Sequence, residues 1–155
     1  MKLNIGSVFI TQESDSIASV TAADAFWGIA ESLMPGVHIL VNAPGAPAVP
    51  ITFLCCHILE CLLKAFLSKV GISANDLRNQ KKFGHDLSEL WQEAVTRGLP
   101  IPSVLPQWVK HLSILHSSPY PLRYPMDVSG FVLPNPQNLL AELTDLLETV
   151  RQKMR

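Results

Sequence analysis

Charge is scarce in this chain. Asp, Glu, Lys and Arg make up 16% of its 155 residues, against about a quarter in ordinary soluble domains. The deficit predicts apolar surface covered by a partner, and a homodimer is the simplest form of it. A net charge of -1 excludes a global attraction to nucleic acid or anionic membrane, so any such binding needs a local patch. Cysteine is limited to Cys55, Cys56 and Cys61, all in one segment, which does not make a disulfide framework. Reduced, buried thiols in a cytoplasmic protein are expected. The first ten residues lack a proper apolar core, and Gln12, Glu13 and Asp15 follow at once, so a signal peptide is not expected. There is no glycine-rich phosphate loop, dinucleotide fingerprint or Ser-His-Asp order. His57 and Cys61 are spaced as a possible zinc pair, but no second pair completes four ligands. Neither a metal nor a cofactor is expected.

What is present reads as one domain of helices. Residues 1–18 are weakly patterned and are read as an N-terminal arm; 19–155 form the bundle. A first helix starts near Thr21, with Asp24 three residues on as a capping partner. Ala23, Phe26, Trp27, Ala30, Leu33 and Met34 give it an apolar face, and Pro35-Gly36 is expected to end it. Residues 37–50 are expected to be a connector, with a possible short strand over Val37–Val41 and four breakers at Pro44, Gly45, Pro47 and Pro50.

A central helix is expected over 51–70, closed by Gly71. Val49 to Leu67 is apolar enough to test as a membrane span. His57, Glu60 and Lys64 sit inside it, however, and a charge at a bilayer centre costs about 2.5–3.5 kcal/mol. No membrane role is expected. A short helical turn follows over 73–80. The next helix opens at Asp86, with Glu89 as its reciprocal cap. Another begins near Ser103. The last has Asn135 as cap and Pro136 in first position. The whole is an all-α, up-and-down bundle of four to five helices.

Three short motifs occur in order: His57-x-x-Glu60-x-x-x-Lys64-Ala65-x-Leu67, then Gly84-His85-Asp86-Leu87-x-x-Leu90, then Arg123-Tyr124-Pro125. In this the chain resembles the HEPN domains, in particular small stand-alone bacterial ones, over roughly residues 20–155. The resemblance implies a dimerising bundle. It also implies either a metal-independent endoribonuclease or a binding module for RNA or protein, often in a defence or toxin–antitoxin system. Active members carry Arg, four to six residues, then His, before the last core helix. Here Arg123 has no histidine after it, and Arg78 and His85 meet the bare spacing in a different place. The expected function is therefore an RNA- or protein-binding module without an intact ribonuclease motif. The alternatives are a ribonuclease using His85 and Arg123, and a structural partner subunit.

The candidate residues follow from charge and spacing. At 100° per residue, His57, Glu60, Lys64 and Ser68 fall within an arc of about 80°, and Glu60 and Lys64 are ordered for an i, i+4 ion pair. The stripe either lines a site or is a satisfied internal pair. His85 is either an acid–base group or the entry to a helix cap. Arg78, Lys81 and Lys82 form a basic turn, which could bind phosphates or simply be solvated. Tyr120, Arg123, Tyr124 and Phe131 belong to a long proline-rich loop, which either closes a groove or packs on the end of the bundle.

Overall fold

The computed structural model describes residues 20–124, 130 and 132–155. Among these, all regular structure is helical: α1 (Ala22–Asn42), α2 (Ala48–Lys69), α3 (Ala74–Arg78), α4 (Leu87–Thr96), α5 (Gln107–His116) and α6 (Pro136–Met154). The all-α expectation holds. The single turn of α3 brings the number to six rather than four or five. The arm assigned to 1–18 lies outside the described residues, as do Pro125 and Phe131.

The bundle is built around α2, which packs against every other helix. From Ile58 to Leu67 each of its residues is buried. Burying a single Leu or Ile side chain contributes about 1.5–3 kcal/mol, so this run is the centre of the hydrophobic core. By length and composition α2 could cross a membrane, but 78% of its apolar window is covered by the rest of the bundle. The three thiols are free and buried. Burial pushes Cys55 and Cys61 up to about 12, which leaves them un-ionised and inert.

Three boundaries differ from those expected of the sequence. The first helix does not stop at Pro35-Gly36; it continues to Asn42 with Pro35 inside it. Pro35 faces solvent, where water can satisfy the carbonyl that loses its donor. Val37 and Val41, both buried, secure the turns beyond it. The possible strand at Val37–Val41 is thus helix, and the connector shrinks to 43–47. The central helix starts at Ala48 rather than Ile51, because Pro50 falls in the first turn, where its missing N–H costs nothing. The helix expected near Ser103 begins at Gln107, with Pro106 at its cap. A proline there disfavours helical backbone at Leu105.

The other starts follow local chemistry. Thr21, Ser73, Asp86 and Asn135 each accept a backbone N–H of the first turn that follows, as N-caps do. Only half of the Asp86–Glu89 box forms. The N–H of Asp86 donates instead to the Phe83 carbonyl at 2.8 Å, because the turn before it offers a nearer acceptor.

Candidate functional site

Glu60 sits at the middle of α2 and is 6% exposed. A buried carboxylate is retained only when its charge is met, and here three donors meet it. Lys64, one turn on, donates to Oε1 at 2.6 Å. His116, the last residue of α5, lies with Nε2 2.6 Å from Oε2. His85 lies with Nδ1 3.0 Å from the same oxygen. Burial alone would raise the Glu60 pKa, but the His116 hydrogen bond, the Lys64 charge and the His85 hydrogen bond outweigh it and hold the group well below the carboxylate range. An ionised carboxylate only accepts. Each histidine therefore turns an N–H towards it: Nε2–H of His116 and Nδ1–H of His85.

The turn between α3 and α4 places His85. The Asn79 carbonyl accepts from the N–H groups of Lys82, Phe83 and Gly84, which coils the chain tightly. Gly84 has φ +48°, and a Cβ there would lie 2.9 Å from Gln80 Cα. Only glycine fits this position without displacing backbone. Its carbonyl accepts the second hydrogen bond of Lys64, at 2.7 Å. Every residue of Gly84-His85-Asp86-Leu87 thus has a structural role. Gly84 makes the turn that holds Lys64, His85 donates to Glu60, Asp86 caps α4 and Leu87 enters the core.

His116 is buried and His85 is half-buried. With Nδ1–H bound to Glu60, the other nitrogen of His85, Nε2, is left on the outward side of the ring. His85 and Asp86 line a cleft of about 210 Å³ together with Phe83, Tyr120, Ser117 and Ser118. Tyr120 packs edge-on to His85, with ring centroids 6.0 Å apart. The guanidinium of Arg123 lies 5.6 Å from the Tyr120 ring and 5.6 Å from the Phe53 ring. Arg123 is exposed, so two aromatic faces orient a charge that water still reaches.

The two residues named as catalytic candidates, His85 and Arg123, therefore both pack against one tyrosine. His57 is half-buried, with Nε2 3.9 Å from Cys61 Sγ. Burial lowers its pKa, Glu60 acts in the opposite sense, and His116, Arg123 and His85 lower it further. Arg123 is thus close enough to act on the same cluster. The basic turn is separate. Arg78 and Lys81 are exposed and form no ion pair among the described residues. Lys82 pairs with Asp76. Tyr124 is 63% exposed. The described partners of His85 do not include Arg78, so the bare Arg-x6-His spacing has no counterpart in space.

His116 and Phe53 do not stand out in the sequence as site residues. For His116 a signal exists. It lies four residues after Leu112, on the apolar face of its helix, and a histidine there needs a buried partner. Nothing in the sequence marks Phe53, whose role depends on where a distant loop returns.

Glu60, His85 and His116 are also the group that could hold a metal ion, with one donor atom from each lying within 4.8 Å of the others. A dication there would cost both imidazole N–H bonds. It would also face the Lys64 ammonium across the carboxylate that already neutralises it. The charges present favour the hydrogen-bonded form.

No family model matches the chain, and neither a curated protein nor a solved structure does.

Proposed function

We propose that the chain is a cytoplasmic, HEPN-like RNA-binding module that contacts phosphate at the edge formed by His85, Tyr120 and Arg123. The observation that carries this reading is the shared tyrosine. An exposed guanidinium and an imidazole with one outward nitrogen both contact a single ring. A guanidinium fork suits phosphate oxygens, and a partly exposed aromatic ring suits unstacked bases. The net charge of -1 is compatible with this reading because the contact is local.

The module acts as a homodimer. Along α1, Ala25, Gly28, Ile29, Ser32, Pro35 and Ile39 are all exposed and none is charged. Such a face, together with the low overall charge, suits a second copy of the chain.

The test is anisotropy of a labelled single-stranded RNA against salt. Wild-type affinity should fall as salt rises, and Arg123→Ala should weaken binding and flatten that dependence by about one phosphate contact. RNA affinity that is insensitive to salt and to Arg123→Ala would contradict the reading.

A second reading, metal-independent ribonuclease activity, is favoured by one observation. Glu60 fixes His85 with Nδ1–H inward, so a neutral His85 presents an Nε2 lone pair able to take a proton from a ribose hydroxyl. Cleavage of the same RNA in the presence of chelator, lost in His85→Ala, would support it.

A further inference from the structure

The cleft beside His85 has a chemistry that phosphate binding does not use. Two aromatic side chains, Phe83 and Tyr120, line it. Asp86 lines it too, and the two oxygens of this carboxylate are not equivalent. Oδ1 accepts from the Ser88 and Glu89 N–H groups and from the Ser113 hydroxyl. Oδ2 has no partner among the described residues. A half-buried carboxylate that lines the same cleft as two aromatic side chains repels phosphate and suits an N–H donor carried on a flat ring. At about 210 Å³ the space is many times the roughly 10–15 Å³ that one water needs by the same measure.

We infer that this cleft takes one extruded guanine base of single-stranded RNA, stacked against Phe83 and Tyr120, with Asp86 Oδ2 accepting from its adjacent imino and amino N–H groups. The inference rests on the RNA-binding reading and assigns the cleft its substrate class. Guanine is the base that offers two neighbouring donors on its Watson–Crick edge. Uracil offers one donor between two carbonyls, which the carboxylate repels, and adenine and cytosine offer an amino group beside an acceptor nitrogen. Arg123, whose guanidinium packs on the same Tyr120 ring, supplies the charge for the phosphate next to such a base. Recognition of splayed bases by stacking and edge hydrogen bonds is the usual route to sequence preference in single-stranded RNA.

The experiment compares labelled uridine hexamers that carry one central guanosine, adenosine, cytidine or no replacement. Wild-type protein should bind the guanosine hexamer about tenfold more tightly than all-uridine. Asp86→Asn keeps a good helix cap but puts an amide N–H₂ where Oδ2 was, so the guanosine preference should vanish while the thermal midpoint stays near wild type. Phe83→Ala should weaken the guanosine hexamer more than the all-uridine one. If all four hexamers bind wild type equally, the guanine site is wrong and the RNA-binding reading stands. If none binds, both fail. A guanosine preference that survives Asp86→Asn in folded protein would also overturn the assignment.

Discussion

His116 Nε2 lies 2.6 Å from Glu60 Oε2, joining the end of α5 to the middle of α2 across 56 positions of sequence. With Lys64 on the other oxygen and His85 beside His116, this pair ties three segments of the bundle to one buried charge. The chemistry of the cleft rests on that tie, because it sets which nitrogen of His85 faces outward.

Removing the charge should be costly. Glu60→Gln leaves the Lys64 ammonium buried without its counter-ion, and breaking a buried pair from one side costs about 3–5 kcal/mol. Urea denaturation should show a lower midpoint with an unchanged slope. Lys64→Met combined with Glu60→Gln should recover part of the loss, since the unpaired charge is then gone. A Glu60→Gln variant as stable as wild type would contradict the pairing.

Loss of His116 should act through Glu60 rather than through volume alone. His116→Leu fills much of the space but removes a hydrogen bond to a charged acceptor, for a loss of about 1.5–3 kcal/mol. The same substitution made in Glu60→Gln should cost less. Equal costs in both backgrounds would show that the two side chains are not coupled.

Gly84→Ala should destabilise although it adds only a methyl group. The residue has positive φ, and its Cβ would meet Gln80 Cα at 2.9 Å. Left-handed backbone alone costs about 1–2 kcal/mol for a residue with a side chain, and the carbonyl that holds Lys64 would shift with the turn. Gly36→Ala, where nothing lies within 4 Å of the added atom, is the control and should be neutral or stabilising.

Stability should fall on acidification. His57 has a folded pKa lowered from 6.5, first by burial, and Glu60 has one lowered by its donors. A depressed folded pKa means that the unfolded chain takes up the proton first. The contribution is complete above the unfolded pKa and is lost as pH falls towards the folded one. The thermal midpoint should therefore decline below about pH 6.5 from His57, and again below about pH 4.3 from Glu60. His57→Gln should remove the upper part of the decline and leave the lower. A midpoint that rises between pH 7 and pH 5 would contradict the signs.

Much of the fold is legible in the sequence where the physics is local. The Glu60–Lys64 pair follows from i, i+4 order on an apolar helix, and Asp86 and Asn135 cap helices as their residue types suggest. Legibility fails where a distant contact overrides a local preference. Pro35-Gly36 reads as a stop, yet the buried Val37 and Val41 carry α1 through it. The assembly of His85, Ser117 and Tyr120 around the cleft is the least legible part, because it depends on where α5 ends relative to the turn at Gly84. No spacing in the sequence encodes that.

The most direct test of the central claim is a long-range proton–nitrogen spectrum of the histidine side chains, recorded with and without a single-stranded RNA hexamer. Free protein should show His85 as the Nδ1–H form. Adding RNA should shift its Nε2 resonance while leaving the buried His116 unmoved, and Arg123→Ala should reduce the shift at the same sub-saturating RNA concentration. RNA that binds while every His85 signal stays in place, or a free His85 carrying its proton on Nε2, would contradict the account.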